Sequence, residues 1–238
     1  MTTYERIMSV IAEPMGWLLS LLYDFIGSYG ITLIVFTLLV RGLLFPLYAA
    51  QIKSSSRMKD VQPKIQAIQK KYANDKETMN IKMMELYKEE KFNPMKGCLP
   101  MLIQMPIILA LFVLLRNPTT FMPDAKMLMA VHEAFFWIPD LSQPDPWVLP
   151  ILAGVATFFS FSLTQAMSMG GDMGNTAGMM KMMKYFFPIM IVWMGRSFPA
   201  GLTLYWFIGT LFMICQTFGM NKWKAKQERK KQFVKSNA

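Results

Sequence analysis

The stretch ITLIVFTLLVRGLLFPLYAAQ, from Ile31 to Gln51, decides the fold class of this chain. Twelve of the twenty residues from Ile31 to Ala50 are Leu, Ile, Val or Phe, and one arginine, Arg41, lies among them. At about −0.3 to −0.6 kcal/mol each, the apolar residues outweigh the roughly 2.5 to 3.5 kcal/mol that a central arginine costs. The stretch is therefore predicted to be a membrane-spanning helix with a cation near its centre.

The depth of Arg41 makes it the first candidate for a functional residue. At about 1.5 Å per residue, the roughly ten residues on either side place the guanidinium near the middle of the bilayer, too deep for comfortable snorkelling. An ionisable residue at this depth indicates a site that faces a bundle interior or a wet cavity. The alternative is an arginine that only joins helices, by donating to backbone carbonyls or to a buried acid. The predicted spans contain no obvious carboxylate for it, which favours the wet cavity.

The composition of the whole chain agrees with a membrane protein. It has 238 residues, 53% of them hydrophobic, a net charge of +10 and a positive mean hydropathy, a combination typical of an integral membrane protein with basic surfaces. The two cysteines, Cys98 and Cys215, indicate small buried thiols rather than a disulfide framework. The single histidine, His132, has no metal-ligand neighbours in the sequence. We therefore expect no metal, no cofactor and no histidine-based catalytic site.

The apolar runs and their breaks predict ten segments, five of them membrane spans. Pro, Gly and Arg between Gly195 and Gly201 divide the last apolar stretch into two short spans. The segments are an extracytoplasmic interfacial amphipathic helix at 1–29, a first span at 30–51, a cytoplasmic helical hairpin at 52–97, a second span at 98–116, an extracytoplasmic loop at 117–146, a third span at 147–167, a cytoplasmic Met-rich loop at 168–184, a fourth span at 185–198, a fifth span at 200–220 and a basic cytoplasmic tail at 221–238. Segment 1–29 has an alternative interpretation as the leader of the first span, and no convincing cleavage site follows it.

The Met-rich segment has two possible meanings. Seven methionines lie among glycines between Met167 and Lys184. Thioether ligands suit copper(I), but the spacing is irregular and no cysteine or histidine is near. A polarizable apolar surface for contact with varied hydrophobic segments is the favoured interpretation.

The long polar insertion predicts two helices, from about Ser54 to Tyr72 and from about Lys76 to Lys91, that pack as a hairpin. Eleven Lys or Arg stand against six Asp or Glu between Ile52 and Gly97. Such charge usually marks a solvated surface. The alternative is a docking surface for anionic lipid headgroups, ribosomal RNA or a nascent chain.

Polar residues inside the other predicted spans are the remaining candidates. Gln104 lies in the middle of the second span, where it either joins helices or lines a cavity. In the third span the hydroxyls of Thr157, Ser160 and Thr164 are expected to bond back to their own helix. They indicate the wall of a wet groove only if they lie opposite Arg41.

Basic residues also predict the orientation of the chain. Of the twenty-five Lys and Arg, twenty lie in the hairpin segment, the Met-rich loop or the tail. The positive-inside rule makes that side cytoplasmic. Five spans then place the N-terminus outside and the C-terminus in the cytoplasm.

The order of these features resembles the YidC/Oxa1/Alb3 family of membrane protein insertases, and specifically its short bacterial members. The motifs that carry the resemblance are an arginine in the first span, then GCLPMLIQMP from Gly97, DPWVLPILAGVATFF from Asp145 and FPAGLTLYW from Phe198. The similarity extends from about Trp17 to Met220.

The resemblance implies an all-α integral membrane protein, with five transmembrane helices around a hydrophilic groove that is open to the cytoplasm, and a cytoplasmic helical hairpin. The groove residues that it implies are Arg41, Gln104, Ser160 and Trp206, and Thr164 joins them as a polar wall of the third span. Client or ribosome docking would use the lysines and arginine of the hairpin and tail: Lys59, Lys64, Lys70, Lys71, Lys82, Lys222, Lys224, Lys226, Arg229, Lys230 and Lys231.

The implied function is insertion and folding of client membrane proteins in the bacterial plasma membrane, with their apolar spans released sideways into lipid. Expected partners are nascent clients, the bilayer, the ribosome and a Sec-type translocase, without recognition of any nucleic acid sequence. The alternatives are an assembly scaffold that acts only with such a translocase, and a small-solute transporter, for which internal repeats are missing. No His, Asp or Glu lies inside the predicted spans, which argues against an enzyme.

Overall fold

The computed structural model describes residues 3–91, 99–122, 124–168 and 174–236. In these ranges the chain forms α-helices, with one isolated bridge between Phe135 and Ile138. The helices are α1 (Thr3–Ile26), α2 (Tyr29–Leu43), α3 (Phe45–Lys71), α4 (Lys76–Glu89), α5 (Leu99–Arg116), α6 (Pro118–Phe121), α7 (Ala125–Ala130), α8 (Val148–Ser168), α9 (Gly174–Gly195) and α10 (Ala200–Ser236). The all-α prediction is confirmed for the part of the chain that the structure describes.

The predicted first span is interrupted. Helix α2 ends at Leu43 and α3 begins at Phe45, so the helix breaks at Leu44, three residues after Arg41. The cause is Pro46, which has no N–H to donate to the preceding turn and restricts the residue before it. Helix α3 then continues without a further break to Lys71, so the first hairpin helix begins at Phe45 and not near Ser54.

Helices α3 and α4 pack along a narrow apolar seam. Val61, Ile65 and Leu86 are buried together, and Met83 and Tyr87 pack against them. Asp75 caps α4 by accepting the Thr78 N–H at 3.0 Å. The two helices therefore form an antiparallel pair with its own small core.

Helix α1 is part of the main core. Ala12 and Leu19 are fully buried, and α1 packs against α2 and α5. Gly16 lies so close to α6 that a Cβ atom there would meet the backbone oxygen of Phe121 at 2.3 Å. The small size of Gly16 therefore serves the close packing of α1 against α6.

The other long helices complete the bundle. Helix α8 packs against both α9 and α10, and α10 packs against α2 and α5. Helix α9 begins at Gly174, inside the predicted Met-rich loop, and α10 continues through the predicted tail to Ser236. Ala-, Met- and Lys-rich sequence has high helix propensity, so helices extend past the apolar stretch that defined each span.

The loop between α5 and α8 closes one end of the bundle with two carboxylates. Glu133 accepts the Tyr29 N–H at the start of α2 at 2.7 Å and a bond from the Tyr23 hydroxyl. Asp145 accepts the N–H groups of Trp147 and Leu149 at 3.0 Å each and caps α8. Burial opposes ionisation of Asp145, but these bonds and one from the Trp137 indole outweigh it and hold the pKa of the carboxyl below its ordinary value.

Two of the described helices are long and apolar enough to cross a membrane, at Met8–Ile26 and Ala200–Trp223. Shorter apolar stretches of 10–17 residues lie at Tyr29–Leu43, Gln104–Arg116, Val148–Thr164 and Met182–Gly195. The interfacial position of segment 1–29 and the number of spans therefore stay predictions.

Candidate functional site

Arg41 lies inside the bundle, with 7% of its surface exposed. Its Nη1 donates to the Tyr48 hydroxyl at 2.8 Å, and its guanidinium carbon lies 5.3 Å from the centre of the Tyr48 ring. Its Nε is buried without a hydrogen-bond partner. Among the described residues, none of the ion pairs includes Arg41. The site is therefore a buried cation held by neutral groups.

A chain of hydrogen bonds leads away from Arg41. The Tyr48 hydroxyl donates to Gln104 Oε1 at 3.0 Å, and Gln104 Nε2 donates to the Tyr205 hydroxyl at 3.0 Å. These four side chains come from α2, α3, α5 and α10. Because the bond between Arg41 and Tyr48 is buried and the other two are partly buried, the chain of bonds orients all four groups.

The break at Leu44 lies between Arg41 and Tyr48. Tyr48 follows Arg41 by seven residues, about two helical turns, and would share its face in any continuous helix. With the helix restarted at Phe45, the Tyr48 hydroxyl lies within bonding distance of the guanidinium.

Helix α10 forms the wall against which Arg41 rests. A Cβ atom built on Gly209 would lie 2.6 Å from Nη2, 2.8 Å from Nε and 3.0 Å from Cζ of Arg41. Real Cβ atoms do not approach other atoms so closely. Glycine at position 209 is therefore what gives the guanidinium room at this depth.

The predicted groove residues divide into two groups. Arg41 and Gln104 are joined through Tyr48, as described. Trp206 belongs to a second group, where its indole N–H donates to the Thr157 hydroxyl at 3.1 Å and thereby joins α10 to α8. The Thr157 hydroxyl in turn donates to the Ala153 carbonyl at 2.7 Å.

Ser160 and Thr164 lie farther along α8. Ser160 is buried, and its carbonyl accepts the Thr164 hydroxyl at 2.9 Å. The expected back-bonding of hydroxyls within this helix is thus observed at Thr157 and Thr164. No bond described for the structure joins Ser160 or Thr164 to the Arg41 group.

The sequence did not single out Tyr48, Tyr205 or Gly209, although all three contact the group around Arg41. Two signals were available. Tyr48 is an aromatic hydroxyl two turns from a buried arginine, and Tyr205 belongs to the quoted motif FPAGLTLYW. A tyrosine in an apolar stretch is usually assigned to the membrane–water interface, so a buried position is not predicted for it.

Several of the predicted docking cations have partners. Lys64 pairs with Glu90, and Lys82 pairs with Glu85 at 2.7 Å; both pairings raise the pKa of the lysine. Lys71 lies 5.4 Å from the centre of the Tyr72 ring. In the tail Lys222, Lys226 and Arg229 are exposed. The side chains of Lys59, Lys224, Lys230 and Lys231 lie outside the described part of the structure.

Comparison with known proteins decides the family. The family model described as 60Kd inner membrane protein matches residues 21–228 of this chain. The chain belongs to the 60Kd inner membrane protein family. The resemblance noted from the sequence motifs is thereby confirmed.

Two relatives within the 60Kd inner membrane protein family show how the chain relates to longer and shorter members. It is 42% identical to the membrane protein insertase YidC of Campylobacter jejuni over 222 residues, which are 93% of this chain and 39% of that protein. It is 38% identical to the membrane protein insertase YidC of Fusobacterium nucleatum over 217 residues, 91% of this chain and 97% of that protein. The chain therefore spans well under half of the longer relative and nearly all of the shorter one.

A solved structure has the same fold. The crystal structure of an active YidC insertase, with its first transmembrane domain resolved, superposes with a TM-score of 0.64 at 29% identity. The match covers 92% of this chain and 47% of that one. This solved protein and both relatives are named insertases.

Proposed function

We propose that this chain inserts client membrane proteins into the lipid bilayer and helps them fold. The observation that carries the proposal is Arg41, a buried cation with an unpartnered Nε and no carboxylate pair in the described structure. A buried charge without a counter-ion is costly, so its persistence indicates a task outside the stability of the fold. The insertase names of the relatives supply the class of that task.

The physical difficulty in insertion is the polar segment of the client. Each backbone group without a partner costs several kcal/mol in hydrocarbon, roughly, and a tail of ten residues would carry many such groups. A groove with polar walls removes most of this cost. Arg41 attracts acidic residues of the translocating tail, while hydrogen-bonding walls around Gln104 and Trp206, with Ser160 and Thr164, receive its backbone and polar side chains.

Release into lipid uses the outer faces of α8 and α9. Val155, Phe159, Ile189 and Trp193 are all exposed there, and the last two have 68% and 71% of their surfaces free. In a bilayer these faces would contact acyl chains. The apolar span of a client therefore leaves the groove sideways, driven by its own partitioning into lipid.

The proposal includes the topology predicted from the charges. The five spans surround a groove open to the cytoplasm, the α3–α4 hairpin lies in the cytoplasm, and the N-terminus lies outside. Segment 1–29 is proposed to stay at the outer interface. Glu133 and Asp145 then close the outer end of the bundle, and the basic end of α10 lies on the cytoplasmic side.

Docking of the ribosome is proposed for that basic end of α10, with the hairpin as a second contact and a Sec-type translocase as a further partner. Exposed Lys222, Lys226 and Arg229 support the role of the tail. Hairpin cations that already pair with Glu85 and Glu90 are weaker candidates. Cosedimentation with ribosomes should therefore decrease more for charge removal in the tail than for charge removal at Lys64 and Lys82.

The test of the main proposal uses the purified chain alone in liposomes. A single-span client with an acidic outer tail is presented, and protease protection of the tail measures insertion. Arg41→Ala should lower the insertion rate about tenfold or more, because hydrogen bonds to charged groups contribute about 1.5–3 kcal/mol each. Arg41→Lys should preserve most of the rate, since a diffuse positive charge is the feature required.

The matched control is Arg196→Ala, which removes an exposed cation resting 3.9 Å over the Trp147 ring, away from the Arg41 group. It should leave insertion near the wild-type rate. Equal loss in Arg41→Ala and Arg41→Lys would indicate an arginine that only joins helices. No protection by the folded wild-type protein would reject autonomous insertion and favour an assembly scaffold that needs a translocase.

A further inference from the structure

Gln216 is a buried amide without partners. Only 9% of the residue is exposed, and neither its Nε2 nor its Oε1 has a hydrogen-bond partner in the described structure. Leaving one buried donor and one buried acceptor unsatisfied carries the full desolvation cost of both groups. Such a residue needs an explanation, and a binding partner is one that the geometry can be searched for.

The position of Gln216 connects it with Arg41. Gly209, which contacts the Arg41 guanidinium, and Gln216 are seven residues apart on α10. A seven-residue step returns to the same helix face within about 20°. Gln216 therefore lies on the face of α10 that meets Arg41, about 10 Å farther along the helix axis at about 1.5 Å per residue.

Unpartnered polar atoms are few on the described part of the molecule. Buried side-chain atoms without a partner occur on Tyr29, Arg41 and Gln216. Tyr29 is fully buried in the apolar core beside α1, whereas Arg41 and Gln216 follow one face of α10. The unpartnered Nε of Arg41 and the unpartnered Nε2 and Oε1 of Gln216 thus lie in a line along this face of α10.

The chemistry of this line fits an extended peptide. A primary amide presents one acceptor and donors in the arrangement that pairs with a peptide group, and it carries no charge to select an ion. A separation of about 10 Å corresponds to about three residues of extended chain at about 3.3 Å each. A strand-like segment can therefore reach Arg41 with one residue and Gln216 with another.

We propose that Gln216 binds the peptide backbone of the client segment whose acidic residue is held by Arg41. This inference rests on the proposed insertase function and adds a second, uncharged contact to it. Because Gln216 bonds to backbone groups, this contact does not depend on the side chains of the client. Arg41 then selects acidic tails, and Gln216 serves clients of differing sequence.

The test compares Gln216→Leu with Thr210→Val in the liposome assay. Both substitutions keep the side-chain size approximately and remove polar atoms from a buried position on α10. The Thr210 hydroxyl already donates its one proton to the Trp206 carbonyl at 2.8 Å, so, unlike Gln216, it has no free donor to offer a client. Gln216→Leu should slow insertion about five- to tenfold, and Thr210→Val by less than about twofold.

A second client isolates the backbone contact. It carries N-methylated amides in the outer tail, which cannot donate to Gln216 Oε1. N-methylation should slow insertion by the wild-type protein and should leave the already slow Gln216→Leu variant nearly unchanged, because the two changes remove the same bond. Unfolding midpoints of all variants check that the bundle remains intact.

Three results would count against the proposal in different ways. Insertion by Gln216→Leu at the wild-type rate overturns it and leaves the insertase function standing. Equal sensitivity of the wild-type protein and Gln216→Leu to N-methylation also overturns it, because the bond would not be to the backbone. Failure of the wild-type protein with every client rejects the proposed function itself.

Discussion

Replacing Gly209 by alanine should displace the Arg41 guanidinium without removing its charge. The new Cβ would lie 2.6 Å from Nη2 and 2.8 Å from Nε, about 0.6–0.8 Å inside ordinary contact. The backbone of α10 is held by helix hydrogen bonds, so the arginine side chain must move. A shift of about 1 Å takes the 2.8 Å bond from Nη1 to the Tyr48 hydroxyl beyond hydrogen-bonding range.

The expected loss of stability in Gly209→Ala follows from two opposing contributions. Loss of a bond from a charged donor costs about 1.5–3 kcal/mol, and alanine in place of glycine stabilises a helix interior by about 0.8–1 kcal/mol. The net loss of stability is then about 0.5–2 kcal/mol. The charge stays in the groove but loses its alignment, so we expect the insertion rate to fall by less than the roughly tenfold expected for Arg41→Ala, with the unfolding midpoint lowered only slightly.

Gly219→Ala is the matched control, because a Cβ at that position on the same helix meets nothing within 4 Å. It gains the same helix propensity and leaves Arg41 untouched. The assay is tail protection in liposomes, with thermal unfolding of each variant measured in parallel. Equal insertion rates for Gly209→Ala and Gly219→Ala would refute the reasoning, since the position of the guanidinium would then not matter.

Two further predictions concern the parts of the bundle that support the site. Asp145→Ala should lower the free energy of unfolding by about 1–2 kcal/mol, because the carboxylate caps α8 and binds the Trp137 indole. The lowered pKa of Asp145 means that this contribution is complete above about pH 4 and is lost as the pH falls further, so wild-type and Asp145→Ala unfolding midpoints should converge in acid. Gly16→Ala should destabilise the bundle more than Gly42→Ala in thermal unfolding, because the Cβ at Gly16 meets the Phe121 backbone oxygen whereas the Cβ at Gly42 meets nothing. Similar midpoints for these two variants would show that α1 does not pack tightly on α6.

Patterns within single segments predicted much of the fold. The apolar stretch around Arg41 predicted a helix with a buried cation, and the structure places Arg41 inside the bundle. The sequence also predicted that two helices of the polar insertion pack together, and Val61, Ile65 and Leu86 form the seam between α3 and α4. Both features depend on residues close together in sequence, which is the range over which periodicity carries information.

The contacts of the site depend on residues far apart in sequence, and for that reason they escaped prediction. Gln104 and Tyr205 are 101 residues apart in the sequence, and yet their side chains form a hydrogen bond. Nothing in the local pattern distinguishes Gly209 from Gly219, although only Gly209 touches Arg41. The ends of α9 and α10 were missed for a different reason, because hydropathy detects the apolar part of a helix and not its polar continuation.

The side chains around Arg41 are neutral, and a conflict between stability and client binding explains why. A carboxylate beside Arg41 would stabilise the bundle, but it would also occupy the charge that an acidic client segment is proposed to bind. Tyr48 orients the guanidinium through a hydroxyl and a ring face without neutralising it. Gln104 and Tyr205 fix Tyr48 in turn. Arg41 is thus held in place at some cost in stability and keeps its charge for the client. Such a local conflict is expected where a residue is selected for function and not for stability.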